Sequence, residues 1–416
     1  MSIRLGLYTL LMSFSSLLAL GKVILFGSIL SPEEFGGYSI FLLLSTLILF
    51  LSGFGADVCM MRCCSRAIAR HNNNLLASSF TSVVSLIVLL LPVFFVVSMI
   101  LWILISLHGK YQADIAIWSG GCAWIQLLSN ALLARVRAEG KIVAFSATLV
   151  LRNIIVCIFG GMLLKEHHNI LPLMEILSYL VTLPLCCGLF KFHIAKFKPA
   201  LLLIHLKMGW PLSVSYLLRM GSKNTSDFIL LIFTSAHVYG VFAFVSVNYN
   251  IILTLINMIA QSIMPEWMKT FSKHRDRRLL FEEMTAFFIK HIVLVLMLCT
   301  CLCLMYMFSI RLYFPQYMDS YSVVPIYYIG LFLLFFSQID NYFIIVGKSK
   351  EYLGISVLVV CSSVVINLCA VWLSPTIESL IVAFATVRGV AFSASFYKAR
   401  KSAFKNVPEH RILLES

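Results

Sequence analysis

Five basic side chains stand where a chain this apolar should carry none: Lys22, Arg152, Arg219, Lys223 and Arg388 each lie inside a long block of apolar residues. A charge at the centre of a bilayer costs about 2.5–3.5 kcal/mol on the insertion scale. Such residues must face a bundle interior or a water-filled cavity, where fixed cations suit an anionic ligand. In one block Arg219, Lys223 and Asp227 recur every fourth residue, which sets all three on one helical stripe, with Ser215 and Ser226 near it. The next block carries Asn250, Thr254, Asn257 and Gln261 at helical spacing, a continuous polar seam. Ser337 and Asn341, beside Asp340, and Ser363 with Asn367 make shorter ones.

Two uses compete for these groups. Hydroxyls and amides bond one membrane helix to another, and the seam residues suit that role as well as ligand binding. For the cations the acids are too few. Asp57, Asp227 and Asp340 are the main candidates, and Lys223 with Asp227 makes one plausible structural pair. The remaining positive charge is expected to meet an anionic substrate. Asp227 and Asp340 are also candidates to titrate or to bind a cation, because a partly buried carboxylate's affinity for H⁺ or Na⁺ depends on its neighbours. No catalytic constellation or metal-ligating cluster is read from the sequence, and no cofactor is expected beyond a coupling ion. The twelve cysteines contain no C-x-x-C pair and read as small core residues.

The elements that carry these residues follow from composition. Sixty per cent of the 416 residues are hydrophobic and 12% charged, against roughly 45–50% and about 25% in soluble domains. The apolar residues fall into blocks long enough to cross a hydrocarbon core of roughly 30 Å. Twelve spans are expected, near 5–30, 37–60, 77–107, 115–133, 142–164 and 171–190, then 209–233, 238–264, 287–308, 323–346, 352–373 and 379–397. The third is the longest, and tilt or an interfacial end would absorb its excess. The first reads as a retained span, not a cleaved signal.

The net charge of +14 has a topological cause. With the N-terminus in the cytoplasm, the outer loops hold only Lys110, Lys165 and Arg311 of the loop cations, so basic residues concentrate inside and both termini are cytoplasmic. Nucleic acid is not an expected partner. Trp102, Trp118, Trp210, Trp267 and Trp372 fall near span ends and read as interfacial anchors.

The two halves match. Ser31-x-x-x-Phe35-Gly36-x-Tyr38-Ser39 after the first span corresponds to Ser235-x-x-x-Tyr239-Gly240-x-Phe242-Ala243 after the seventh, and Gly140-Lys141 to Gly347-Lys348. Six spans per half make the repeat parallel, two six-helix bundles related by a pseudo-two-fold along the membrane normal, with a substrate path between them. The expected division is a first bundle over 1–207, a second over 208–397 and a basic cytoplasmic tail over 398–416.

The run Leu30-Ser31-Pro32-Glu33-Glu34-Phe35-Gly36-Gly37-Tyr38-Ser39, with Gly53-x-Gly55 and a basic loop after it, resembles bacterial polysaccharide flippases. So does the Asp227 segment followed by Val238-Tyr239-Gly240-Val241-Phe242 and Pro265. These flippases are the O-antigen and lipid-linked oligosaccharide transporters of the multidrug/oligosaccharidyl-lipid/polysaccharide exporter superfamily. His237 departs from the usual acid after the second-half serine. The resemblance implies a MATE-like fold with a central cavity, in the bacterial inner membrane. It implies that undecaprenyl-pyrophosphate-linked glycan crosses from the cytoplasmic to the periplasmic leaflet by alternating access with cation antiport, and that polymerase and chain-length proteins of the same pathway are partners alongside membrane lipid. Carried onto this chain, Lys22, Arg152, Arg219, Lys223 and Arg388 become head-group contacts, and Asp227 with Asn367 the ion-coupling pair. A multidrug exporter of the same superfamily is the rival transport reading, but its cavity should be acidic or aromatic. A membrane-embedded polymerase or ligase would need a large outer loop, and the longest here is about a dozen residues near Arg311.

Overall fold

The computed structural model describes residues 3–54, 56–69, 71–106, 113–163, 170–188, 224–235, 237–246, 273–346, 348–374 and 376–404, with isolated positions between 214 and 271. Among the described residues every regular element is a helix. Among the described residues eight helical stretches are long and apolar enough to cross a membrane, and four shorter apolar helices accompany them. This is a multi-pass membrane protein, and the eight with the four match the twelve expected spans. The chain divides into two compact units, Met1–Val247 and Asn248–Ser416. The boundary expected at 207 falls outside the described residues.

In the first unit, α1 (Ile3–Ile29) packs along α7 (Ile142–Leu163), and α6 (Ala113–Ala138) is the central helix. Around α6 lie α2 (Pro32–Ser52), α3 (Ala56–Ala69), α5 (Leu91–Ser106) and α8 (Leu171–Gly188), with α4 (Asn73–Leu89) against α3. The short helices α9 (Asn224–Phe233) and α10 (His237–Ser246) complete the unit.

In this unit two breaks depart from the expected spans. The block at 37–60 is interrupted because Phe54 takes a left-handed φ of 46° after the chain caps α2 at Gly53. The long third block is two helices, α4 and α5, jointed at Leu90. Pro92 has no N–H to continue the ladder across that joint.

The duplicated motif is structural. Ser31 caps α2 with a capping box, its hydroxyl accepting the Glu34 N–H and the Glu34 carboxylate accepting the Ser31 N–H. Ser235 plays the same part before α10: its Oγ accepts the Val238 N–H at 3.4 Å. Its carbonyl accepts the Tyr239 N–H at 3.0 Å, as that of Ser31 accepts the Phe35 N–H at 2.9 Å. The two copies also pack on each other. A Cβ on Gly240 would fall inside the envelope of the Pro32 carbonyl, 2.7 Å from its carbon and 3.0 Å from the Gly36 nitrogen. Phe35 meets Phe244 edge to face at 6.0 Å. Of the second matched pair, Gly140 has a φ of 74°, which glycine adopts freely, and Gly347 lies outside the described residues.

In the second unit, α11 (Arg277–Tyr313), α12 (Val324–Phe336), α13 (Asn341–Val346), α14 (Ser349–Leu373) and α15 (Ile377–Ala403) pack in sequence, with α15 against α11, α12 and α14. At 37 residues α11 is roughly 55 Å long, well beyond one hydrocarbon thickness. Asp276 caps its start, and Ile289, Val293, Met297, Leu304 and Phe308 lie exposed along it as a lipid-facing surface requires. A 3₁₀ turn at Ser337–Asp340 separates α12 from α13, so the tenth expected span is broken at its polar cluster. Trp267 differs from an interfacial anchor: it is buried and meets Phe287 edge to face at 5.6 Å.

Candidate functional site

The polar centre of the first unit is built by four helices. Lys22, half-buried on α1, donates from Nζ to Glu175 Oε1 on α8 at 2.6 Å. Tyr38 on α2 donates its O–H to the same oxygen at 2.5 Å. The phenol is held by Phe26, edge-on at 5.6 Å, and by Phe41, stacked at 6.4 Å. Arg152 on α7 lies over the Tyr179 ring at 4.5 Å and acts electrostatically on Glu175. One residue on, Asn153 donates to the carbonyl and hydroxyl oxygens of Ser15, both at 3.0 Å, which fixes α7 against α1.

Glu175 is 6% exposed. Leaving such a carboxylate without partners would be costly, and here a cation and a phenol satisfy it. Among the described residues the cluster has two cations against one carboxylate, so a positive charge remains there after the pairing. Sequence reasoning weighed Asp57, Asp227 and Asp340 as partners and missed Glu175. The available signal was a lone acid inside the sixth apolar block.

Lys22 and Arg152, expected together, are therefore brought to one place. Asp57 lies half-buried in the first turn of α3, and Asp227 half-buried on α9; both make polar interactions. Arg219 and Lys223, and the seam of Asn250, Thr254, Asn257 and Gln261, lie outside the described residues.

In the second unit Arg388 is buried on α15, its guanidinium over the Phe384 ring at 5.0 Å. Asn367 on α14 is fully buried. Its amide donates to the Ser363 carbonyl at 2.8 Å, while its Oδ1 has no hydrogen-bond partner among the described residues. Asp340 closes the 3₁₀ turn. A separate groove of about 660 Å³, which Arg388 does not line, opens between α12 and α15, walled by Ile329, Leu333, Ala385, Thr386, Gly389 and Val390. Its lining offers little polarity, so it suits hydrocarbon better than sugar.

No family model matches the sequence, and the search of curated proteins gives no match either. Solved structures do match. An inward-facing multidrug resistance MATE family transporter of the MOP superfamily superposes with a TM-score of 0.74 at 16% identity, over 94% of each chain. The fold is MATE-like. The lipid II flippase MurJ in an inward closed conformation follows at 0.72 and 13% identity, over 95% of this chain and 87% of its own. An outward-facing MATE family transporter gives 0.60 at 16% identity, over 95% of this chain and 94% of its own. Within the MATE-like fold both drug exporters and a lipid flippase occur, so the cargo must be argued from the side chains.

Proposed function

We propose that this protein is a flippase for undecaprenyl-pyrophosphate-linked polysaccharide repeat units such as O-antigen, moving them from the cytoplasmic to the periplasmic leaflet of a bacterial inner membrane. The observation that carries the reading is the excess of cation over acid in the Lys22, Arg152 and Glu175 cluster. A bundle interior with one more fixed cation than acid among its described residues favours a phosphate-bearing cargo and disfavours the cationic drugs of an exporter. The likeness to MurJ, which is a lipid II flippase, supports the same class. Arg388, buried on α15, is a second proposed head-group contact. Arg219 and Lys223 complete the proposed head-group contacts, and the seam of Asn250, Thr254, Asn257 and Gln261 those to sugar hydroxyls. Asp227 and Asn367 are the proposed coupling positions for H⁺ or Na⁺ antiport, with Asp340 and Asp57 as further candidates. The proposal includes cytoplasmic termini, which the loop charges favour, and a bundle boundary near residue 207.

The multidrug exporter is the second reading, favoured by the first MATE structure's superposition. Deleting the gene, with redundant flippases excluded, and measuring surface polysaccharide together with leaflet-resolved lipid-linked sugar separates the two. Trapped intermediate on the inner leaflet is the expected result. Normal surface polymer, no trapped intermediate and new sensitivity to cationic drugs would overturn the proposal in favour of the exporter.

A further inference from the structure

Glu175 is a buried titratable group to which the transport reading gives no step of its own, and its setting resembles an occupied anion site. One carboxylate oxygen receives Lys22 Nζ at 2.6 Å and the Tyr38 hydroxyl at 2.5 Å, with Arg152 close enough to act on it electrostatically. These are the donors a phosphate oxygen would select: an ammonium, a phenol and a guanidinium. The other titratable groups that act on this centre are Cys122 on α6, Cys157 on α7 and Tyr179 on α8. Thiols and phenols are ordinarily neutral between pH 5 and 8, so the charge balance rests on Lys22, Arg152 and Glu175.

We propose that Glu175 is a proton-accepting stand-in for the cargo's phosphate: an arriving pyrophosphate takes over Lys22 and Arg152, and Glu175 binds one proton as it releases them. The physical argument is charge crowding. An ionised carboxylate and a phosphate cannot share two cations in a largely buried site without strong repulsion, and one proton from water relieves it. The protonated acid keeps a partner, because the Tyr38 hydroxyl still donates to the carbonyl oxygen of the neutral carboxyl, though more weakly than to the carboxylate, and the new O–H is free to donate to the arriving phosphate. Deprotonation after the cargo leaves restores the Lys22 pair, so the empty site never holds a bare buried ammonium. Proton and cargo travel together here, which lowers the charge that crosses. The role is therefore distinct from that of the antiport positions proposed at Asp227 and Asn367. The inference rests on the anionic-cargo reading.

The test uses the full-length protein in lipid nanodiscs with radiolabelled farnesyl pyrophosphate as probe, between pH 5.5 and 8.5. Binding linked to one proton weakens by about tenfold per pH unit above the titration point. Glu175→Gln, which keeps the shape and a hydrogen bond to Tyr38, is expected to bind at the wild-type acid limit and to lose that slope. The probe's own ionisation contributes equally to both proteins and cancels in the comparison. Glu175→Asp is expected to retain the slope, and Lys22→Gln to bind weakly throughout. Competition by inorganic pyrophosphate is expected, since the head alone fills the site. Probe binding that resists this competitor would mean recognition by the tail and would overturn the inference. A wild-type slope preserved in Glu175→Gln would overturn it while leaving the anionic-cargo reading intact. No binding by either protein at any pH would overturn both.

Discussion

The packing of the two copies of the duplicated motif can be broken with one methyl group. In Gly240→Ala the new carbon would stand 2.7 Å from the Pro32 carbonyl carbon and 3.0 Å from the Gly36 nitrogen. Carbon atoms settle at about 3.5–4.0 Å, so the Pro32 contact falls short by about 1 Å. Both neighbours are backbone, and no rotamer change relieves the overlap. Overpacking a well-filled site costs typically about 1–3 kcal/mol, and with backbone on the far side the upper end applies. About 3 kcal/mol corresponds to a factor of roughly 150 in an equilibrium constant.

Hydrogen exchange of the protein in nanodiscs reads this directly, because local opening free energies set amide protection. Peptides covering 32–38 and 239–244 should exchange roughly a hundredfold faster in Gly240→Ala, while those of α14 stay unchanged. Gly37→Ala is the matched control, one residue past Gly36 on α2. Nothing lies within 4 Å of a Cβ there, and replacing a helical glycine should stabilise by roughly 0.5–1 kcal/mol. Equal protection in Gly240→Ala and wild type would refute the close approach. If faster exchange in Gly37→Ala matched that in Gly240→Ala, the cause would be general sensitivity of α2 and not the Pro32 contact.

Further consequences follow from individual contacts. Lys22→Met, which leaves Glu175 buried without its cation, should cost about 3–5 kcal/mol in thermal stability, and Lys22→Met with Glu175→Met should recover most of it. A Cβ on Gly330 would lie 2.7 Å from Phe384 Cε1 and 3.2 Å from the Ala385 Cα. Gly330→Ala should therefore loosen α12 from α15 by about 1–3 kcal/mol and disturb the Tyr327–Phe384 stack at 4.7 Å, read as a lower melting temperature. Just past α6, burial pushes the Glu139 carboxyl up, but bonds from Lys141 at 2.9 Å and Arg135 at 3.0 Å hold it below the ordinary carboxylate range. Its folded-state pKa is the lower one, so the stability it contributes is present above the unfolded value near 4.5 and is lost as pH falls through the folded value. Glu139→Gln should flatten that acid limb in melts between pH 3 and 7 and cost about 1 kcal/mol at neutral pH.

What was legible in the sequence divides along the range of the interaction that decides it. Helix caps at Ser31 and Ser235 are settled within four residues, and the motif that announces them is local. Span existence needs only hydropathy over some twenty residues, a property each block carries by itself. The breaks inside spans are different. Phe54 turns left-handed, and Ser337–Asp340 tightens to a 3₁₀ turn at a polar cluster that hydropathy alone reads equally well as a seam on an unbroken helix. Trp267 shows the same limit, since a tryptophan at a span end anchors or packs according to whether a ring such as Phe287 reaches it.

The site sharpens the point. That Lys22 and Arg152 had to face inward followed from the cost of charge in lipid, which no partner need be known to assert. That Lys22 already has an acid did not follow, because Glu175 is 153 residues away in the chain and no helical periodicity connects them. The pairing changes the chemistry inferred. Two free cations would bind phosphate at any pH, whereas two cations sharing one carboxylate must exchange it first. The pH slope of anion binding, and not its mere occurrence, is therefore the observable that distinguishes this arrangement from the one that residue types alone suggest.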